Sequence, residues 1–192
     1  MTSLQLHTQA GCGLAIGRYP RFRYDARGGS GRATCTPVDD RLEIVFDPAD
    51  LSIPPLNWRT TQVLVLPLPP GLQIAIEPLT LAGQLVPASG AVTLRFEARF
   101  HCSWAGLYRP PPLLVTTDLS TGSVAGQRHH AKGSPLDARG QGCLVGVARV
   151  PPSGDPWLDG FLGLPDDALA VLRCGFDGLK GERSAMDAAD LP

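Results

Sequence analysis

The chain has 192 residues, a hydrophobic content of 43% and a formal net charge of −1. This hydrophobic content supports a packed core and excludes wholesale disorder, while the near-zero charge excludes a global field that attracts nucleic acid or anionic membranes. The charge is uneven, because residues 1–35 carry five Arg against one Asp, whereas residues 151–192 carry eight acidic and three basic residues.

Cysteine usage and hydropathy indicate the cellular compartment. The five cysteines are Cys12, Cys35, Cys102, Cys143 and Cys174. Because their number is odd and no pair has CxxC or zinc-site spacing, we expect free, mostly buried thiols in a reducing compartment. We expect Cys12, between two glycines, to be the accessible one, and Cys102 and Cys143 to lie in the core. No apolar run reaches 18 residues and the N-terminus does not resemble a signal peptide, so the sequence predicts a soluble cytoplasmic protein without a transmembrane segment.

The first 37 residues are difficult to assign to elements, but they contain one distinctive run. In RYPRFRY (18–24), arginines alternate with aromatic side chains, and further arginines follow up to Arg32. Alternating rings and guanidinium groups suit single-stranded nucleic acid, since rings stack on bases and Arg binds phosphate. They also suit peripheral contact with an anionic membrane surface. An edge strand with Tyr19, Arg21 and Arg23 outward explains the same pattern.

Strands are predicted through the middle of the chain. Residues 41–47 alternate and end at a proline, residues 48–61 form a proline-interrupted connection, and QVLVLPL (62–68) reads as a short strand. Residues 72–86 alternate with a parity change at Pro78, which predicts a bulge or bend, and residues 87–90 predict a hairpin turn.

The clearest pattern is AVTLRFEARFHCSW (91–104). Its apolar and polar residues alternate without an error, which is typical of a strand with one buried and one solvated face. Such a strand favours an antiparallel sheet. Further strands are predicted at 113–120 and 142–150, separated by a Gly-, His- and Ser-rich loop at 122–140.

The C-terminal part predicts a short helical segment at about 155–172. Asp155–Pro156 is a favourable helix start, and Pro165 followed by two acidic residues predicts a second short helix over ALAVL. The sequence therefore predicts one mainly β domain over 1–176, an antiparallel β-sandwich or partly open barrel with this helical segment, followed by a flexible acidic tail at 177–192.

Catalytic candidates are limited to one constellation. His129 and His130 are potential acid–base groups, with Asp118 or Asp137 as supporting carboxylates. A solvated basic loop and an anion site are the alternative interpretations of the His pair. The patterns GxSxG, GxxxxGK[ST] and GxGxxG are absent from the sequence, so no cofactor and no metal are predicted.

Two surfaces are candidates for binding a ligand or partner. Arg95, Arg99 and His101 occupy the polar face of the 91–104 strand, where they form either a solvated charge ladder with Glu97 or a site for an acidic partner. A second group consists of Trp104, Tyr108 and Arg109, which come just before a run of three prolines at 110–112. Trp157 and Phe161 form a further aromatic pair, which serves either core packing or, if exposed, partner binding.

Residues 85–172 contain three distinctive stretches, YRPPPLLV, LVGVARV and FLGLPDDAL. With these stretches, this part of the chain resembles an uncharacterised protein family of cyanobacteria and plant chloroplasts, and the first 60 residues lie outside the resemblance. It implies a photosynthetic context and a stromal or thylakoid-surface location. It implies no activity, cofactor or catalytic residue.

Three functional hypotheses remain open from the sequence. The first is a non-enzymatic binding or assembly module for a protein, lipid or pigment, including a small apolar ligand. The second is an enzyme that uses His129 or His130. The third is a nucleic-acid binder that uses Arg18 to Arg32, which predicts a contiguous basic face and salt-sensitive affinity.

Overall fold

The structure is a computed structural model that describes residues 2–178. Within this range the chain forms fourteen strands, one α-helix (α1, Pro156–Leu162) and one turn of 3₁₀ helix (Pro48–Asp50). The strands are β1 Thr2–Thr8, β2 Cys12–Ile16, β3 Phe22–Tyr24, β4 Ser30–Val38, β5 Arg41–Phe46, β6 Thr61–Val63, β7 Leu66–Pro67, β8 Leu72–Val86, β9 Ala91–Trp104, β10 Leu113–Ser120, β11 Ser123–Ala125, β12 His130–Lys132, β13 Gln141–Val150 and β14 Asp166–Asp177.

Eight strands form a closed antiparallel ring in the order β1-β4-β5-β8-β9-β10-β13-β14, and β14 pairs back to β1. One edge of β14 is shared, because its second half pairs with β1 and its first half pairs with β2. From β2 the sheet continues outward through β3, β6 and β7. The predicted mainly β, antiparallel fold with a short helical segment near its C-terminal end is confirmed.

The long hairpin of β8 and β9 has the predicted form. Its register shifts between Pro78 and Thr80, which is the irregularity predicted at Pro78. On β9, Val92, Leu94 and Ala98 are buried. Arg95 and Arg99, on the other face of the strand, are exposed. The alternation in the sequence therefore corresponds to the inside and outside of the ring.

The helical segment is shorter than predicted. Asp155 accepts a hydrogen bond from the Leu158 amide at 2.8 Å and caps α1 as expected, but the helix ends at Leu162, because the next residue, Gly163, has a left-handed φ of +71°. The predicted second helix over ALAVL is wrong, because these residues belong to β14. Ten register pairs with β13 on one side, and further pairs with β2 and β1 on the other, outweigh the local helical preference.

Two further segments differ from their predictions. QVLVLPL is a hairpin of β6 and β7 rather than one strand, and the 122–140 loop contains the β11–β12 hairpin. Of the predicted acidic tail, residues 179–192 lie outside the described residues. The described part of the chain holds no helix with the length and apolarity that a bilayer crossing requires.

The ring is filled differently at its two ends. At the first, here called the packed end, buried side chains meet in one cluster; they include Leu4, Leu42, Leu85, Val92, Leu136 and Phe176. The opposite end is crossed by Leu51–Leu56 (LSIPPL), here called the strap. Two backbone hydrogen bonds join Ser52 to Ser30 of β4, and two join Leu56 to Ile74 of β8.

Candidate functional site

An apolar cavity of about 120 Å³ lies inside the ring beneath the strap. Its wall is formed by inward side chains of the ring strands, by Leu14 of β2, and by strap residues; they include Leu6, Ile76, Leu94, Phe96, Phe100, Leu119, Leu144, Ala170 and Leu172 together with Leu51, Ile53 and Pro54. Several of these, such as Phe96, Phe100 and Leu172, are only half-buried although they face the interior. Their incomplete burial marks a space that side chains do not fill.

The few polar groups in the wall are hydroxyl groups, and two of them donate hydrogen bonds to backbone carbonyls. The Tyr24 hydroxyl donates to the Pro54 carbonyl, and the Thr8 hydroxyl donates to the Ala26 carbonyl at 2.5 Å. Ser30 and Ser52 also line the cavity, and their backbones pair with each other. Burial raises the pKa of the Tyr24 phenol, so this donor keeps its proton at neutral pH.

The strap can approach the ring because glycines stand where it crosses β4. A Cβ on Gly31 would lie 2.4 Å from a Leu51 methyl carbon, and a Cβ on Gly29 would collide with the Thr8 hydroxyl. These glycines let Leu51 enter the ring above the cavity. The proline-interrupted connection of the sequence is thus the cover of an internal space.

The cavity suits a small apolar molecule. An apolar cavity of about 150 Å³ can stay dry and take up a ligand the size of benzene or xenon. The cavity here is somewhat smaller. Eight-stranded rings of this type either fill their interior with side chains or hold one small ligand.

The structure gives the catalytic candidates separate partners. The His129 Nε2 atom lies 3.1 Å from the Gly17 carbonyl, whereas His130 is exposed on β12. Asp118 pairs with Arg95 at 3.2 Å on the outer face of the ring, and the Asp137 carboxylate accepts from two backbone amides of its own turn. These contacts do not bring the histidines together with the two carboxylates.

Next to His129 lies an acidic pair that the sequence analysis assigned to a helix start. Asp166 and Asp167 are buried, and Asp166 receives the Arg128 guanidinium, with both oxygens 3.1 Å from Nε. This hydrogen bond lowers the pKa of Asp166. Asp167 accepts the Arg128 amide at 2.8 Å. The pair anchors the β11–β12 hairpin to β14.

The polar face of β9 is neutralised across strands. Arg99 and His101 both contact Glu77 of β8, at 3.2 and 2.7 Å, and the His101 hydrogen bond lowers the pKa of Glu77. Arg95 contacts Glu97 as well as Asp118. The candidate acidic-partner site therefore carries its own carboxylates.

Tyr108 belongs to an aromatic row on the outside of the molecule. Its ring meets Trp157 edge-on, Trp157 stacks on Phe161 at 5.2 Å, and Phe161 meets Tyr19. The Tyr108 hydroxyl donates to Asp155 at 2.8 Å. Trp104 and Arg109 are exposed nearby in the chain, and Trp157 and Phe161 are also exposed.

The Arg18 to Arg32 segment is divided among several elements. Arg21 and Arg23 line a surface groove together with Arg59 from a later segment, whereas Arg27 pairs with Asp25. Arg32 is exposed on β4. The contiguous basic face that the nucleic-acid hypothesis predicts is therefore reduced to the groove arginines.

The five cysteines all lie within residues 2–178 and form no disulfide, as expected. Cys12 is buried rather than accessible, because its sulfur lies against Gln9 and Arg173 backbone atoms. Cys102 and Cys143, predicted as core, are half-buried. Burial raises the pKa of Cys174, in the cavity wall, to about 12.

Sequence reasoning missed most of the cavity wall. Tyr24 was assigned to a basic segment, the strap to a connection and Ala170 to a helix. The one available signal was the alternation of inward residues on the strands. Within residues 2–178, no cluster of three or more His, Cys, Asp or Glu side chains is placed to hold a metal ion.

Comparisons with known proteins add no functional information. The chain matches no protein-family model, no curated protein and no solved structure. The photosynthetic context that the resemblance implied stays a prediction.

Proposed function

We propose that this chain is a non-enzymatic binding module that holds a small apolar molecule inside its ring of strands. The observation that carries the proposal is the apolar cavity of about 120 Å³ beneath the strap. Burying an apolar ligand there removes its surface from water, which is a favourable and largely non-directional interaction. The wall offers few polar groups, so shape and size select the ligand more than hydrogen bonding does.

The strap sets the route of entry. It closes the ring end through four backbone hydrogen bonds and the Tyr24 hydroxyl, so a ligand enters when this segment opens. Segments fixed by few contacts open more readily than the strands they cover. We therefore expect binding and release to be governed by strap opening.

The acid–base hypothesis for His129 and His130 has less support. Its carboxylate partners, Asp118 and Asp137, bind other groups on other elements. A ligand-binding role needs no convergent reactive groups, and it agrees with the first hypothesis drawn from the sequence.

The first test identifies a retained ligand. The full chain, purified from a photosynthetic host, is measured by native mass spectrometry and by ultraviolet–visible absorption. Additional mass that disappears on denaturation supports the proposal, and visible absorbance would indicate a pigment. A mass equal to that of the chain alone would mean that no ligand is retained through purification, and the cavity is then tested with an added probe.

The second test uses benzene as a probe of the cavity. We expect benzene to raise the melting temperature of the native chain, because a ligand that binds only the folded state stabilises it. Ala170 faces the cavity from β14, so A170L fills the space and is expected to abolish this rise. A125L, at an exposed position of β11, is the matched control and should keep it.

A smaller change, A170V, keeps the test decisive if A170L does not fold. It should reduce the benzene-dependent rise without removing it. An equal rise in the native, A170L and A170V proteins would mean that benzene binds elsewhere, and it would overturn the proposal. No rise in the native protein would overturn it as well.

A further inference from the structure

The hairpin of β6 and β7 presents an apolar tip to solvent. Leu64, Val65 and Leu66 are 68%, 83% and 68% exposed, and they follow one another without a polar residue. Leu64 has a φ of +59°, a conformation that Gly or Asn adopts at lower cost. Three consecutive exposed apolar side chains at a turn serve no purpose in the core, because the hairpin directs them away from it.

Arginines border this tip. Phe22 of β3 pairs with Val63 of β6, so Arg21 and Leu64 continue the two strands one position further. Arg23 is in register with Gln62, and Arg21, Arg23 and Arg59 line one groove of about 600 Å³ beside the hairpin. We call Arg21, Arg23 and Arg59 the basic rim.

The basic rim has no counter-charge of its own among the described residues. The one acidic side chain of the groove, Asp25, is engaged by Arg27 through its guanidinium and its amide. No ion pair within residues 2–178 involves a rim arginine. The groove is therefore positive, although the whole chain has a net charge of −1.

An exposed Trp lies against the basic rim. Trp58 is about half exposed, and the Arg59 guanidinium lies 4.9 Å from its ring centre. Trp is favoured at membrane–water interfaces, where its apolar ring and its polar N–H meet both media.

We propose that the β6–β7 tip and the basic rim dock this protein on an anionic lipid bilayer. The tip enters the boundary between headgroups and acyl chains, while the rim binds lipid phosphates at the surface. A single-stranded nucleic acid would use the rim and Trp58 but leave the apolar tip in water. A bilayer accounts for both the apolar and the basic component, and this inference is independent of what the cavity holds.

The test is co-sedimentation of the full chain with vesicles of phosphatidylcholine alone and of phosphatidylcholine mixed with phosphatidylglycerol. We expect binding to the mixed vesicles, weakened by salt because the rim acts electrostatically. R21Q/R23Q/R59Q should lower the partition coefficient roughly a hundredfold, since each Arg near an anionic surface contributes about fivefold. L64S/V65S/L66S should lower it at least roughly tenfold.

Matched variants control for charge and surface hydrophobicity. R32Q/R41Q/R139Q removes the same charge from exposed arginines outside the rim, and V45S/L114S removes exposed apolar side chains from ring strands. Both should bind within about twofold of the native chain, because neither touches the tip or the rim. V65D, at the most exposed tip position, replaces the triple Ser variant if that variant does not fold.

Three results would overturn the proposal. The first is binding that is equal for neutral and anionic vesicles, or unchanged in both the tip and rim variants. The second is tight binding of a single-stranded oligonucleotide that depends on the rim and not on the tip, without vesicle binding. The third is a dimer in solution that the tip variant converts to monomer, again without vesicle binding.

Discussion

The two ends of the ring have similar inward alternation but different interiors. At the packed end, Leu4, Leu85 and Phe176 are at most 1% exposed and belong to one hydrophobic cluster. At the strap end, Phe96 and Leu172 face inward and remain half-buried around a cavity. The difference shows that an apolar inward face specifies the interior side of a strand, but not whether the interior is filled. Four predictions test this comparison.

The largest expected difference concerns truncation of leucine at each end. L85A should lower the free energy of unfolding by about 2–5 kcal/mol, because it opens a cavity in a filled cluster. L172A should cost about 1–2 kcal/mol, since the Leu172 side chain is only half-buried and borders the cavity on one side. Urea denaturation of both variants measures the difference. Equal losses would mean that the strap end is as well packed as the other.

Enlarging alanine should have opposite effects at the two ends. Ala33 is 1% exposed and lies opposite Leu4, so A33L overfills the cluster and should cost about 1–3 kcal/mol. Ala170 faces the cavity, so A170L should leave stability unchanged or raise it by about 1 kcal/mol. Melting temperatures of the two variants distinguish these signs. A loss for A170L comparable to that for A33L would contradict the cavity.

The attachment of the strap is expected to depend on Tyr24. Y24F removes the hydrogen bond to the Pro54 carbonyl and should cost about 1 kcal/mol. Amide exchange at Ser52 and Leu56 should accelerate, because these amides hold the strap to Ser30 and Ile74. Y19F is the matched control, since Tyr19 donates to Phe161 on the outer surface. Unchanged exchange at Ser52 and Leu56 in Y24F would show that Tyr24 does not hold the strap.

The smallest effect concerns the thiols of Cys174, in the cavity wall, and of Cys102, which packs against Leu113 and Leu158 outside the cavity wall. Burial raises the pKa of Cys174 to about 12 and that of Cys102 to about 11, so both remain protonated at pH 8. Because the thiolate is the nucleophile, iodoacetamide should modify both only slowly in the native protein. Peptide mass mapping with and without denaturant measures this. Rapid native labelling of Cys174 would place it in contact with solvent.

Strands with clear alternation could be predicted from the sequence. Residues 91–104 and 113–120 form β9 and β10 with the predicted bounds, and the irregularity at Pro78 was visible as a parity change. These features depend on side chains close in the chain. Shorter elements with mixed signals were missed, including β1, β2, β4 and the β11–β12 hairpin. The edge-strand interpretation of the arginine-aromatic run was right in part, because Arg23 points outward on β3, but β3 lies between β2 and β6 and not at an edge.

The residues of the candidate site were harder to predict. Ala170 and Leu172 were assigned to a helix because short alanine- and leucine-rich runs favour helices locally. Both residues pair with β13 on one side, and Ala170 pairs with Leu14 of β2 on the other, which makes them part of a strand. The strap carries no periodic pattern, so its contact with Ser30 and Ile74 could not be read from its own residues.

The sequence by itself determined the mainly β class, the inward and outward faces of the long strands and the capped start of α1. These depend on period-two alternation and on capping, which act over a few residues. Only the tertiary structure decided that β14 closes the ring against β1, that the strap crosses one end, and that a cavity remains below it. Those outcomes depend on the register of residues far apart in the chain and on how side chains of eight strands fill a common space.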